Sequence, residues 1–99
     1  MKDPVSFHNL DVPPFTPYDI AKAALTYLGD QWGAEPGPWA TTGHLRAWDG
    51  TPFTIGAQPT GELFLRNDQL GDTLALPVKP TDDLDTIARA VDETVGHLY

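Results

Sequence analysis

His8, His44 and His97 are the side chains in this chain best suited to move a proton near neutral pH. These three share no spacing of a metal-ligand motif. His44 is the most interesting of them. It falls on a strand pattern, on the face opposite Leu45, with Thr54 across from it. That placement suits a binding contact or a catalytic base, and it suits a surface imidazole more simply. The one serine, Ser6, lies among prolines with no G-x-S-x-G around it, so a serine hydrolase is not expected. Cysteine is absent, which removes disulfides, thiolate metal sites and thiol catalysis. No phosphate-binding glycine fingerprint occurs; Gly29, Gly33 and Gly37 stand in a polar stretch and mark turns.

Two acidic clusters have the composition of sites. Asn67-Asp68-Gln69-Leu70-Gly71-Asp72 resembles a calcium loop in content only, because Leu70 and the early Gly71 break the alternation of oxygen ligands. Asp82, Asp83 and Asp85 could act as paired carboxylates, but a helix start accounts for all three, since anionic side chains favour the positive end of a helix dipole. The residues therefore predict no catalytic, cofactor or metal site, and the chain is not expected to be an enzyme.

Aromatic side chains remain. Packing accounts for Trp32 and Trp39, whereas Trp48 falls at the tip of a hairpin, where indole is a frequent binding hot spot. Phe64 falls on the sheet face away from the helices, opposite Gly56, where a ring can cover a strand glycine. The same face carries Thr42, His44, Arg46, Thr54 and Arg66. Trp48, Phe64, Arg46, Arg66 and His44 are the candidate partner-binding residues.

Charge limits the partner. Six Lys and Arg against fourteen Asp and Glu give the 99 residues a formal charge of −8. Phosphate backbones are repelled by such a surface, so nucleic acid is not the expected ligand. The acid is uneven: residues 81–99 hold five acids and one base, while residues 39–66 hold two of each. No apolar run reaches the length of a membrane span or a signal sequence, so a soluble cytoplasmic protein is expected.

The elements that would position these residues follow from periodicity. Residues 1–15, with three prolines, read as an extended arm pinned by Val5, Phe7, Leu10, Val12 and Phe15; residues 16–99 read as one domain. Thr16-Pro17-Tyr18-Asp19 opens a helix: a cap, a proline at the first turn and an acid three residues on. Ile20, Ala24, Tyr27 and Leu28 continue it, and residues 33–38 read as a loop. Trp39–Ala47 is the first expected strand. Trp48-Asp49-Gly50 and Pro59-Thr60-Gly61 each read as a three-residue hairpin loop with a left-handed glycine. They pair Leu45 with Phe53, Gly43 with Ile55, Ala57 with Leu63 and Ile55 with Leu65, all on one apolar face. Leu74, Leu76 and Val78 alternate as a fourth strand, placed at an edge by Pro77. Thr81 caps a last helix with Leu84, Ile87, Ala88, Val91, Val95 and Leu98 on one stripe.

The expected fold is α+β: a four-stranded antiparallel meander with an N-terminal and a C-terminal helix on one face. Its core is expected to hold Ile20, Ala24, Leu28, Leu45, Phe53, Ile55, Leu63, Leu65, Leu74, Leu76, Leu84, Ile87, Val91 and Val95. The element order partly resembles the α-β-β-β-α double-stranded RNA-binding domain, but it has an added strand and an acidic final helix. No motif assigns the chain to a family. The function expected is protein binding without catalysis, as an adaptor, inhibitor or chaperone-like subunit, with a second copy of the chain among the possible partners. Nucleic-acid binding on the neutral sheet face, and a small-ligand carrier or enzyme with a pocket between sheet and helices, are the alternatives.

Overall fold

The computed structural model describes residues 15–79 and 81–99. Of the expected N-terminal arm only Phe15 is among them, packed against the core; Ser6, His8 and the other apolar residues of the arm lie outside the described residues.

Helix α1 spans Pro17–Leu28 and starts as its sequence predicts. The Thr16 hydroxyl accepts from the Asp19 N–H at 3.2 Å, and the Asp19 carboxylate accepts from the Thr16 N–H at 2.9 Å. Two of the amides a helix start leaves unpaired are thereby satisfied. Helix α2 spans Leu84–His97, and its cap is Asp83 rather than Thr81. The buried stripe begins at Leu84, so the first turn forms where burial begins, and the residue just before it takes the cap. Asp82 serves the preceding turn, accepting from the Lys79 N–H at 2.8 Å.

Bonds from the Thr86 hydroxyl and N–H hold the Asp83 carboxyl below its ordinary pKa. A lowered folded pKa means the cap's stabilisation is present above about pH 4 and lost as pH falls through the folded value. Asp83→Asn keeps a capping oxygen that does not titrate. The drop in melting temperature between about pH 5 and pH 3 should therefore be smaller in this variant. Superimposable acid profiles for variant and wild type would remove Asp83 from the acid response.

The sheet has five antiparallel strands in sequence order: β1 Gly33–Pro36, β2 Gly43–Arg46, β3 Pro52–Ala57, β4 Leu63–Asn67 and β5 Thr73–Ala75. Both expected hairpins form, with Gly50 at φ 89° and Gly61 at φ 92°. The register pairs Leu45 with Phe53, Gly43 with Ile55, Ile55 with Leu65 and Ala57 with Leu63, as expected. β1 is a correction, because residues 33–38 read as a loop. Gly37 donates to the Thr42 carbonyl at 2.9 Å, so alternation turns Pro36 outward, where its missing N–H is not needed. The strand expected over Trp39–Ala47 shortens to Gly43–Arg46. Pro38–Ala40 instead forms a 3₁₀ turn, held by the Thr41 hydroxyl on the Pro38 carbonyl at 2.7 Å.

Helix α1 lies over β1, β2 and β3, and α2 lies beside it over β4. Gly43 sets how closely α1 approaches, since a Cβ there would stand 2.3 Å from the Pro17 carbonyl oxygen. The core holds eleven of the fourteen expected residues, joined by Ala21, Ala47, Ala88 and Leu98. Leu28 and Leu84 are half-buried at its margin. Leu74 is the clear correction at 40 % exposed, because a layer two helices wide ends above β4 and does not reach β5.

Candidate functional site

The face of the sheet that neither α1 nor α2 covers carries three rows of side chains set by the register. Glu35, His44, Thr54, Arg66 and Thr73 lie side by side across all five strands. Arg46 lies in a second row between Gly33 and Pro52. Phe64 lies in a third, between Gly56 and Ala75.

The first row is joined by hydrogen bonds whose polarity can be worked out. The Asp68 carboxylate accepts from Arg66 Nε at 2.7 Å and from the Thr54 hydroxyl at 2.7 Å. Thr54 has spent its one proton, so its oxygen accepts from His44 Nδ1 at 3.2 Å. In the neutral ring Nε2 is then bare, and the Thr42 hydroxyl donates to it at 3.1 Å. Gly37 closes over this end, since a Cβ on it would stand 1.8 Å from Thr42 Oγ1 and 3.0 Å from Nε2. Both nitrogens of His44 are therefore engaged by threonines. The arrangement braces the imidazole against the sheet and leaves no bare nitrogen facing a substrate, which favours a positioning role over general-base chemistry.

Beside this row is a shallow depression of about 290 Å³, edged by Glu35, His44, Arg46 and Pro52. That is at the small end for a ligand pocket, and it opens on the sheet face. Phe64 covers Gly56 as expected: a Cβ on Gly56 would lie 2.6 Å from the ring. One face of the ring is thus spent on the sheet, and the side chain is half-buried.

Of the five candidate residues, the structure brings His44 and Arg66 into one network and places Arg46 and Phe64 on the same face. Trp48 stands apart, 66 % exposed in the β2–β3 turn. The register puts this turn at the same end of the sheet as the β4–β5 loop, which carries exposed Leu70. Tyr99 joins that end, its hydroxyl on Asp49 at 3.0 Å and its ring edge-on to Phe53 at 5.6 Å. Trp32 packs as expected, 5.7 Å from the Phe53 ring.

Trp39 is the functional candidate that sequence reasoning missed. Expected to pack, it is 93 % exposed at the opposite end of the sheet. Its backbone is left-handed, φ 56°, which costs a residue with a Cβ about 1–2 kcal/mol. The available signal was Pro36-Gly37-Pro38 just before it, a turn composition that a strand cannot continue. The calcium-like loop is also resolved. Asn67 points inward, and its Oδ1 is taken by the N–H groups of Gln69 and Leu70 at 3.0 and 3.1 Å.

No family model, curated protein or solved structure matches this chain significantly. Among the described residues no group of three or more His, Asp or Glu side chains is placed to hold a metal ion, and no helix is long and apolar enough to cross a membrane.

Proposed function

We propose that this chain is a small non-catalytic protein-binding module, an adaptor, inhibitor or chaperone-like subunit, that meets its partner through the helix-free face of the sheet. One observation carries the reading: both helices lie on the same side, and the other side keeps Phe64, Arg46, Arg66 and His44 together. Aromatic and arginine side chains are enriched at the centres of protein interfaces. The polar row from Thr42 to Arg66 favours the same role, because pre-ordered side chains lose little entropy on binding. Arg66 is already paired with Asp68, which leaves this face a weak lure for phosphate and disfavours the nucleic-acid reading. A reducing compartment such as the cytoplasm suits a chain without cysteine.

The test is the double substitution Phe64→Glu with Arg46→Glu. Neither residue belongs to the core, so circular dichroism and the melting temperature should stay close to wild type. Capture of partners from the native cell should lose with the variant what it retains with the wild type. Identical partner sets, with the fold intact in both, would show this face to be merely solvated.

A further inference from the structure

The two edges of the sheet are guarded differently. Edge strands expose unpaired N–H and C=O groups, and charges or prolines usually blunt them. β1 carries both guards, Glu35 and Pro36. β5 carries neither, and residues 73–78 are uncharged in a chain of formal charge −8.

The hydrogen bonds on either side of β5 show which of its groups have no partner among the described residues. Asn67 donates to the Asp72 carbonyl and Leu76 to the Leu63 carbonyl, each at 2.9 Å. Residues 72, 74 and 76 therefore turn their backbone groups toward β4, and Thr73 and Ala75 turn theirs outward. Leu74 lies opposite Leu65, on the helix side of the sheet, beyond the reach of α2.

We propose that β5 is a dimerisation strand, and that its partner is the β5 of a second copy, paired antiparallel about a two-fold axis at Leu74. In this register Thr73 of each copy faces Ala75 of the other, and four N–H···O=C bonds close between the chains. The two Leu74 side chains meet at the intervening non-hydrogen-bonded position, where cross-strand pairs stand closest. Other registers lose bonds. Moving the axis to Ala75 or Leu76 sets Pro77, which has no N–H, opposite a free carbonyl. Moving it toward Asp72 recruits Gly71, whose φ of 84° is not extended. The edge is thus complementary to itself in one register, and a copy of this acidic chain meets least charge repulsion along its uncharged edge strand. The joined sheets keep both helix-free faces on the same side, so one ten-stranded surface runs through the axis, with Phe64 of one copy leading through Ala75 and Thr73 to Arg66 of the other.

Sedimentation velocity and light scattering of the full chain, from micromolar to about 1 mM, test this independently of how the open face is used. The mass of the wild type should rise toward twice that of the monomer. Leu74→Lys places a charge on each side of the axis. Ala75→Pro removes an outward N–H while leaving every bond from β5 to β4 in place. Each should weaken dimerisation at least about tenfold with little change in melting temperature. The Phe64→Glu, Arg46→Glu variant should dimerise like the wild type. A wild type that stays monomeric throughout overturns the proposal. So does a dimer that survives both edge substitutions, or one lost only in the face variant.

Discussion

Ile55→Ala should lower the unfolding free energy by about 2–5 kcal/mol. Ile55 is fully buried at the centre of the sheet, with Gly43 and Leu65 beside it and the helix layer above. Truncation removes three carbons from a close-packed interior, losing both their transfer free energy and their contacts. Collapse of the cavity is restricted. Gly43 already presses against the Pro17 carbonyl, so α1 has little room to settle, and β3 is held in its register by strands on both sides. The cost should therefore fall in the upper half of the range. Denaturant titration with an unchanged m-value would measure it, and a loss under about 1 kcal/mol would contradict the core assignment.

Asn67→Leu should cost about 3 kcal/mol or more, although it keeps the branched heavy-atom skeleton and makes the residue more apolar. Asn67 is 1 % exposed and sits opposite Phe53 on the helix side of the sheet. Its Nδ2 donates to the Leu98 carbonyl at 2.8 Å, while its Oδ1 holds the amides of Gln69 and Leu70. One side chain thus pins the end of α2 and closes the β4–β5 loop. Leucine leaves three backbone groups without partners, and an unpaired buried group costs about 1–3 kcal/mol. Asn67→Asp would keep the acceptor and lose the donor. Hydrogen exchange in Asn67→Leu should show faster exchange at Gln69, Leu70 and the last turn of α2, ahead of the rest of the sheet. Uniform exchange and a loss under about 1 kcal/mol would mean that water replaces the amide at both ends.

Much of the fold could be read before the structure, and for a local reason. Pro59-Thr60-Gly61 and Trp48-Asp49-Gly50 set their own turn geometry, because a glycine that accepts positive φ has few alternatives. Once both turns had three residues, period-two alternation placed Leu45, Phe53, Ile55, Leu63 and Leu65 on one face and Phe64, His44, Arg46 and Arg66 on the other. The α1 cap was equally legible, since Thr16 and Asp19, three residues apart, each accept from the other's amide. The candidate face was legible to the same depth. Which residues share it, Thr42 and Thr54 beside His44 included, follows from alternation, whereas the Asp68 carboxylate that ties Thr54 to Arg66 depends on how loop 68–72 folds back.

The sequence by itself determined the two helices, both hairpins, the pairing of β2, β3 and β4, and the absence of thiol chemistry. Each of these follows from residue types or from contacts set by neighbours in the chain. Tertiary structure decided the rest. Gly33–Pro36 became a strand because β2 had a free edge to offer it, and an edge strand tolerates the proline that marks a loop elsewhere. Leu74 was left exposed because the width of two helices, not the strand's own pattern, limits what they cover. Trp39 was turned to solvent by the closing of the 37–42 loop. Asn67 was buried because the end of α2 presents it with a carbonyl thirty-one residues away. In each case what decides is a surface supplied by a distant part of the chain, and a pattern read along the sequence carries no record of which surfaces will meet.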